Sequence, residues 1–175
     1  MTHYAIDTTH SELAFTVRHM MFAKVRGQFK SWKGELAYDA SNPAASRVEV
    51  EVDTTSIDTR ENQRDTHLRS ADFFDAEQFP KMTFRSKAIE PSGKGRYVLV
   101  GDLTIRDTTR ELRLEVEETG RGKDPWGNDR IGFSAKASLS RSDWGLRWNQ
   151  ALETGGVLVS DKVEIEAEVQ VLQAK

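Results

Sequence analysis

Apolar and polar residues alternate with a period of two along most of this chain, the signature of strands with one buried and one wet face, and the pattern recurs about eight times. In the first such segment Leu13, Phe15, Val17 and His19 share one face, with Glu12, Thr16 and Arg18 on the other. In the next, VRGQFKSWKGELAY, Val25 and Phe29 keep one phase while Trp32, Leu36 and Tyr38 take the opposite one, which predicts a bulge or bend near Ser31. RVEVEVD turns Val48, Val50 and Val52 inward, and KMTFRSKAI does the same with Met82 and Phe84. RYVLVGDLTI aligns Tyr97, Leu99, Leu103 and Ile105, and RELRLEVEE aligns Leu112, Leu114 and Val116. RIGFSAKASL aligns Ile131, Phe133, Ala135, Ala137 and Leu139, and DKVEIEAEVQV aligns Val163, Ile165, Ala167, Val169 and Val171.

Turn signals separate these runs: SNPA, PSGKG, RDTT, GRGKDPWGN and the Gly155–Gly156 pair. Strands joined by short turns pair antiparallel, and about eight of them form either a two-sheet sandwich or a closed barrel; closure removes the exposed edges a sandwich must protect, so a barrel is expected. Strands of about nine residues at about 3.3 Å each, tilted roughly 40°, give a barrel about 20–25 Å tall. Small residues on the inward phase (Gly101, Ala135, Ala137 and Ala167) leave volume either for a ligand or for neighbouring Phe and Met side chains, and the pattern leaves both readings open.

The pattern fails between Ile57 and Pro80. TRENQRDTHLRS predicts a short helix: Asp58 and Glu61 have capping-box spacing, and Asp65 and Arg69 have the spacing of a favourable i,i+4 ion pair. With almost no apolar face it is expected to lie over one end of the barrel, tethered by Leu68 and the aromatic cluster Phe73, Phe74 and Phe79, as a lid or plug.

At 175 residues a single domain spanning 1–175 is expected. The chain has no cysteine, which excludes disulfides, thiolate catalysis and Cys-ligated metals. Its net charge of -3 comes from interspersed signs, so nucleic acid is not an expected partner. The N-terminal sequence lacks a secretory pattern and no apolar run reaches spanning length, which predicts a cytoplasmic protein, or a periplasmic one if the chain is a mature form.

Catalytic constellations are weak. Asp7, His10 and Ser11 hold the residue types of a hydrolase triad, but in one short segment and without a nucleophile elbow. His67 with Asp65, Asp72 and Asp75 lacks metal-ligand spacing. Carboxylates such as Glu49, Glu51, Glu115, Glu117, Glu164 and Glu166 fall on outward phases, and GRGKDPWG reads as a hairpin loop. His19 continues an inward phase and needs a partner there, in a neighbouring strand or in a ligand. Trp144 and Trp148, beside Arg141 and Arg147, are placed to line or close a barrel mouth.

Four stretches carry a resemblance: IDTTHSELAFTVRHMMFAKVRGQF, VEVDTTSIDTRENQRDTHLRSADFFDAEQFPKMTFRS, GDLTIRDTTRELRLEV and GRGKDPWGNDRIGFSAKASLSRSDWGL. Together, from Tyr4 to Val171, the chain resembles the YceI-like, lipocalin-like polyisoprenoid-binding proteins; Asp107 stands where that family usually has Gly. The resemblance implies an all-β, eight-stranded antiparallel lipocalin-like barrel with an apolar tunnel for a polyisoprenoid or other long-chain lipid, and homodimers among its members. On that basis the expected wall is Phe15, Val17, His19, Phe29, Met82, Phe84, Leu99, Leu103, Phe133, Trp144 and Leu146. Leu68, Phe73 and Phe74 are the expected lid, and Arg18 and His19 the expected contacts to a polar head group. No catalytic residue, cofactor or metal is expected. An enzyme or accessory factor acting on an isoprenoid, or a packed barrel with no ligand, are the alternatives.

Overall fold

The computed structural model describes residues 1–153 and 155–174. Each alternating run becomes a strand or a pair of strand segments, and two further segments, β1 and β6, join them: β1 (Thr2–Ile6), β2 (Glu12–His19), β3 (Ala23–Phe29), β4 (Trp32–Tyr38), β5 (Arg47–Asp53), β6 (Ile57–Asp58), β7 (Lys81–Pro91), β8 (Arg96–Ile105), β9 (Thr108–Lys123), β10 (Asp129–Ser140) and β11 (Lys162–Gln173). The single α-helix among the described residues is α1 (Asn62–Arg69). Hydrogen bonds run around a ring in the order β1-β4-β5-β7-β8-β9-β10-β11, and β11 closes on β1 through Tyr4↔Gln173 to Ile6↔Val171. The expected eight-stranded antiparallel barrel is therefore present.

Three of the eight strands are bent. β2 continues β1 along the same edge of β11, β3 runs into β4, and β5 runs into β6, so that β2, β3 and β6 rise above the ring as an extension of its wall. The bend between β3 and β4 falls at Lys30 and Ser31, where the inward phase changes sides. The other two bends share one local device. Asp7 and Asp53 each precede two threonines, and each carboxylate accepts the N–H of the second threonine (3.1 Å) and its hydroxyl (2.7 Å), forming a 3-10 turn. A short acceptor at the N-cap satisfies the free amides that a break in the ladder creates.

β1 was not foreseen from alternation, and β9 extends through Gly120–Lys123, which the sequence assigns to a loop. The turn at Arg106–Asp107 spans two residues, with Arg106, not Asp107, left-handed at φ 57°. Bulges at Lys87 in β7 and at Thr119 in β9, opposite Gly132/Phe133 of β10, curve the wall.

One end of the barrel, here the upper end, carries the β2–β3 turn, the β8–β9 turn, α1 and the long β10–β11 connection. The lower end carries the β4–β5, β7–β8 and β9–β10 turns and both chain termini. The larger buried cluster, including Phe29, Val52, Ile57, Phe73, Met82, Phe84, Leu103, Trp144 and Leu146, lies toward the upper end; a smaller one of Leu36, Ile131 and Val171 lies below.

Candidate functional site

Between the two clusters the inward faces leave a cavity of about 660 Å³. Every strand of the ring contributes, because the period-two face that a barrel turns inward is apolar along each of them. Phe15, Val17, His19, Phe29, Met82, Phe84, Leu99, Leu103, Phe133 and Leu146 all line it, as do Leu68, Phe73 and Phe74 from the expected lid.

Two expected residues lie elsewhere. Trp144 is buried, but its indole N–H donates to the Leu103 carbonyl at 2.8 Å and its ring packs in the wall rather than facing the lumen. Arg18 has the outward phase of β2; it is exposed, and its guanidinium reaches back to the Phe22 carbonyl at 3.4 Å. It does not face the cavity, because an odd step along a strand reverses the side.

The inward small residues divide between the two readings. Gly101 makes room for Phe84, whose ring would stand 2.4 Å from a Cβ there, so neighbouring packing fills that site. Gly27 likewise lies under Phe15. Ala135 and Ala167, direct cross-strand partners, instead line the cavity.

The upper end of the cavity is polar. His19 is joined there by Arg64, His67 and Arg141. Glu61, rather than Asp58, caps α1, accepting from the backbone N–H groups of Gln63 and Arg64. Asp58 instead accepts from Arg60 N–H. Asp65 forms no pair with Arg69: its carboxylate is buried and accepts from both the backbone N–H and hydroxyl of Thr59. Arg64 donates to the Thr59 hydroxyl and carbonyl, both at 2.7 Å, which ties the start of α1 to β6.

Below α1 the aromatic rings interlock. His67 stands edge-on to Trp148 (4.5 Å between centroids) and Phe73 (5.1 Å), with its Nε2 2.9 Å from Asp72. Phe74 is edge-on to Phe29. Arg141, 6% exposed, donates to the carbonyls of Leu146, Trp148, Val159 and Ser160 and lies over the Phe73 ring. Burial lowers its pKa from the usual guanidinium value, partly opposed by nearby Asp161. Its role was hidden in sequence because four carbonyl acceptors from a long connection leave no pattern there. At the lower end Tyr38 and Tyr97 line the cavity, and burial followed by the Tyr38 phenol raises the pKa of Tyr97.

Asp7, His10 and Ser11 form a strand corner. The Ser11 hydroxyl donates to the Asp7 carbonyl and accepts from Gln170 N–H, while His10 contacts Asp7 and not Ser11. Among the described residues no cluster of three or more His, Cys, Asp or Glu is placed to hold a metal ion, and no helix is long and apolar enough to cross a membrane.

Comparison with known proteins gives consistent results. Residues 4–171 match the YceI-like domain. A UPF0312 protein of Vibrio cholerae is 40% identical over 146 residues, 82% of this chain and 77% of that protein. The crystal structure of Burkholderia cenocepacia BcnA superposes with a TM-score of 0.83 at 23% identity, covering 94% of this chain and 98% of that one. A polyisoprenoid binding domain from Saccharophagus degradans, implicated in plant cell wall breakdown, superposes at 0.71 with 13% identity, covering 99% and 100%. At these identities the two structures speak to the fold alone.

Proposed function

The chain belongs to the YceI-like domain family, and from that premise we propose that it is a noncatalytic binder of a polyisoprenoid or similar long-chain lipid, serving to carry or store it. The observation that carries the reading is the apolar cavity of about 660 Å³ enclosed by the barrel. An apolar tail is driven into such a space by about 25 cal/mol per Å² of surface removed from water, without directional chemistry. The likeness in fold to a polyisoprenoid binding domain supports the same ligand class. In this reading the tail lies along Phe15, Phe29, Leu99, Phe133 and Ala135, and the head group meets the polar upper end at His19, Arg64, His67 and Arg141. A tail longer than the barrel bends within it or protrudes.

The test is mass spectrometry of an organic extract of the purified protein, beside a mock purification and an Ala135→Phe/Ala167→Phe variant. A stoichiometric prenyl or other long-chain lipid, lost in the variant, is the expected result. If the protein yields none and takes up no added prenyl compound, the lipid-binding reading fails and a packed barrel is the better account.

A further inference from the structure

Three consecutive large apolar side chains stand in solvent at the β2–β3 turn: Met20, Met21 and Phe22 are 43%, 60% and 73% exposed. The backbone there favours other residues. Met20 and Met21 have φ of 53° and 73°, two successive left-handed residues of the kind that select Asn and Gly in hairpin turns, because larger side chains are strained there. The strands beneath the turn break a second rule. Arg18 and Lys24 are direct cross-strand partners, a like-charge pair that destabilises a sheet. Both are exposed, and among the described residues neither has an ion-pair partner.

Little inside the barrel offsets these costs. Met20 N–H donates to the Leu158 carbonyl at 2.7 Å, and Met21 Sδ lies against Gly156 of the neighbouring loop, where Val157 adds a further exposed apolar residue. An apolar tip that the fold does not need, on a doubly cationic base, marks a contact surface. The tip is also continuous with the cavity: Val17, His19, Leu158 and Val159, which flank it, all line the lumen.

We propose that this turn docks on an anionic lipid bilayer, with Met20, Met21 and Phe22 entering the boundary between head groups and acyl chains and Arg18 and Lys24 facing the anionic heads. Cargo then passes between bilayer and cavity along the flanking wall, a purpose that rests on the lipid-binding reading. A protein partner fits less well. A stable protein interface takes about 800 Å² from each side, whereas a convex three-residue turn supplies enough apolar surface for interfacial insertion assisted by cations.

The experiment is flotation of the full chain with phosphatidylcholine vesicles, with and without phosphatidylglycerol, alongside transfer of a fluorescent prenyl compound from those vesicles and its binding from detergent. Three variants accompany it: Met20→Asn/Met21→Gly/Phe22→Ser, whose turn residues suit the backbone and keep the fold; Arg18→Glu/Lys24→Glu; and Trp126→Ser, which removes an 81% exposed apolar residue at the opposite end. Expected is flotation that needs phosphatidylglycerol and weakens with salt, falls at least about tenfold in the first two variants, and persists in the third. Transfer slows in parallel while binding from detergent is unchanged. No flotation of the parent, equal flotation of the tip variants, or conversion of a parent dimer to a monomer by the tip variant overturns the proposal. Flotation without uptake of the prenyl compound instead upholds the docking tip and removes the lipid-binding reading.

Discussion

The far edge of the Phe15 ring lies where a Cβ on Gly27 would stand, 2.3 Å from it, and the Phe84 ring lies 2.4 Å from a Cβ on Gly101. Each glycine thus lets a phenyl ring rest against the wall instead of projecting into the lumen. The two positions differ in what else they meet. At Gly101 the added carbon also comes within 2.5 Å of the Arg85 carbonyl, a backbone atom, whereas at Gly27 its three nearest atoms all belong to the Phe15 ring. Gly101→Ala is therefore expected to cost about 1–3 kcal/mol in a urea titration. Gly27→Ala should cost less but push the ring inward and lower the amount of lipid recovered by extraction. Equal losses of stability would contradict this distinction. At this scale the sequence was readable where alternation assigns a side, as for Phe15, Met82 and Val171. It was silent where a residue is held by irregular backbone, as Arg141 is by the carbonyls of the β10–β11 connection. Trp144 misled for a related reason: a 3-10 turn, Arg141–Trp144, ends the strand phase and turns the indole into the wall.

Among the elements, α1 and the segment after it form the upper cover. The helix buries no apolar stripe of its own; it is fixed by Glu61 at its start, by Asp65 and Arg64 on Thr59, and by Arg69 on the Thr55 carbonyl. Phe73 is held by Arg106 of the β8–β9 turn, which donates to its carbonyl. Phe74, half-buried and edge-on to Phe29, is less enclosed than the buried Phe73. Phe74→Ala should raise the rate of ligand release by about tenfold, the kinetic equivalent of about 1.4 kcal/mol of lost apolar contact, in a stopped-flow displacement experiment. An unchanged rate would remove the lid assignment. The helix itself was legible from its charge pattern and from the failure of alternation. Its capping was not, because Asp58 and Glu61 both have cap chemistry and only the backbone at Glu61, with φ -145° and ψ 113°, decides between them.

At the scale of the molecule, one arginine joins the corner of the first strand to the β9–β10 turn. Arg130 is 2.7 Å from Asp7 and 2.8 Å from Asp124, with the three side chains 22%, 14% and 7% exposed. It is the leading cause that lowers Asp124 to about 2 and holds Asp7 further below the usual carboxylate range. Both carboxylates are thus more acidic in the fold than in the unfolded chain, near 3.8. Their stabilising contribution is fully present above about pH 5 and is lost progressively as pH falls through about 4 to 2 and below. Arg130→Gln should lower Tm at neutral pH and flatten its fall across that acid window. A parallel curve, lower by the same amount at every pH, would place the effect of Arg130 in packing instead.

The ring closes where β11 meets β1 and its continuation β2, between segments far apart in the sequence. During synthesis the first strand segment can pair early with β4, but its other edge has no partner until Val171 to Gln173 have left the ribosome. Until then the inward faces of up to seven strands remain an open, apolar sheet. Contacts of such high sequence separation also slow closure itself. Until its last barrel strand emerges, then, the chain presents to the cell the lining that its finished form conceals, and it is in that interval, rather than after folding, that protection from aggregation matters most.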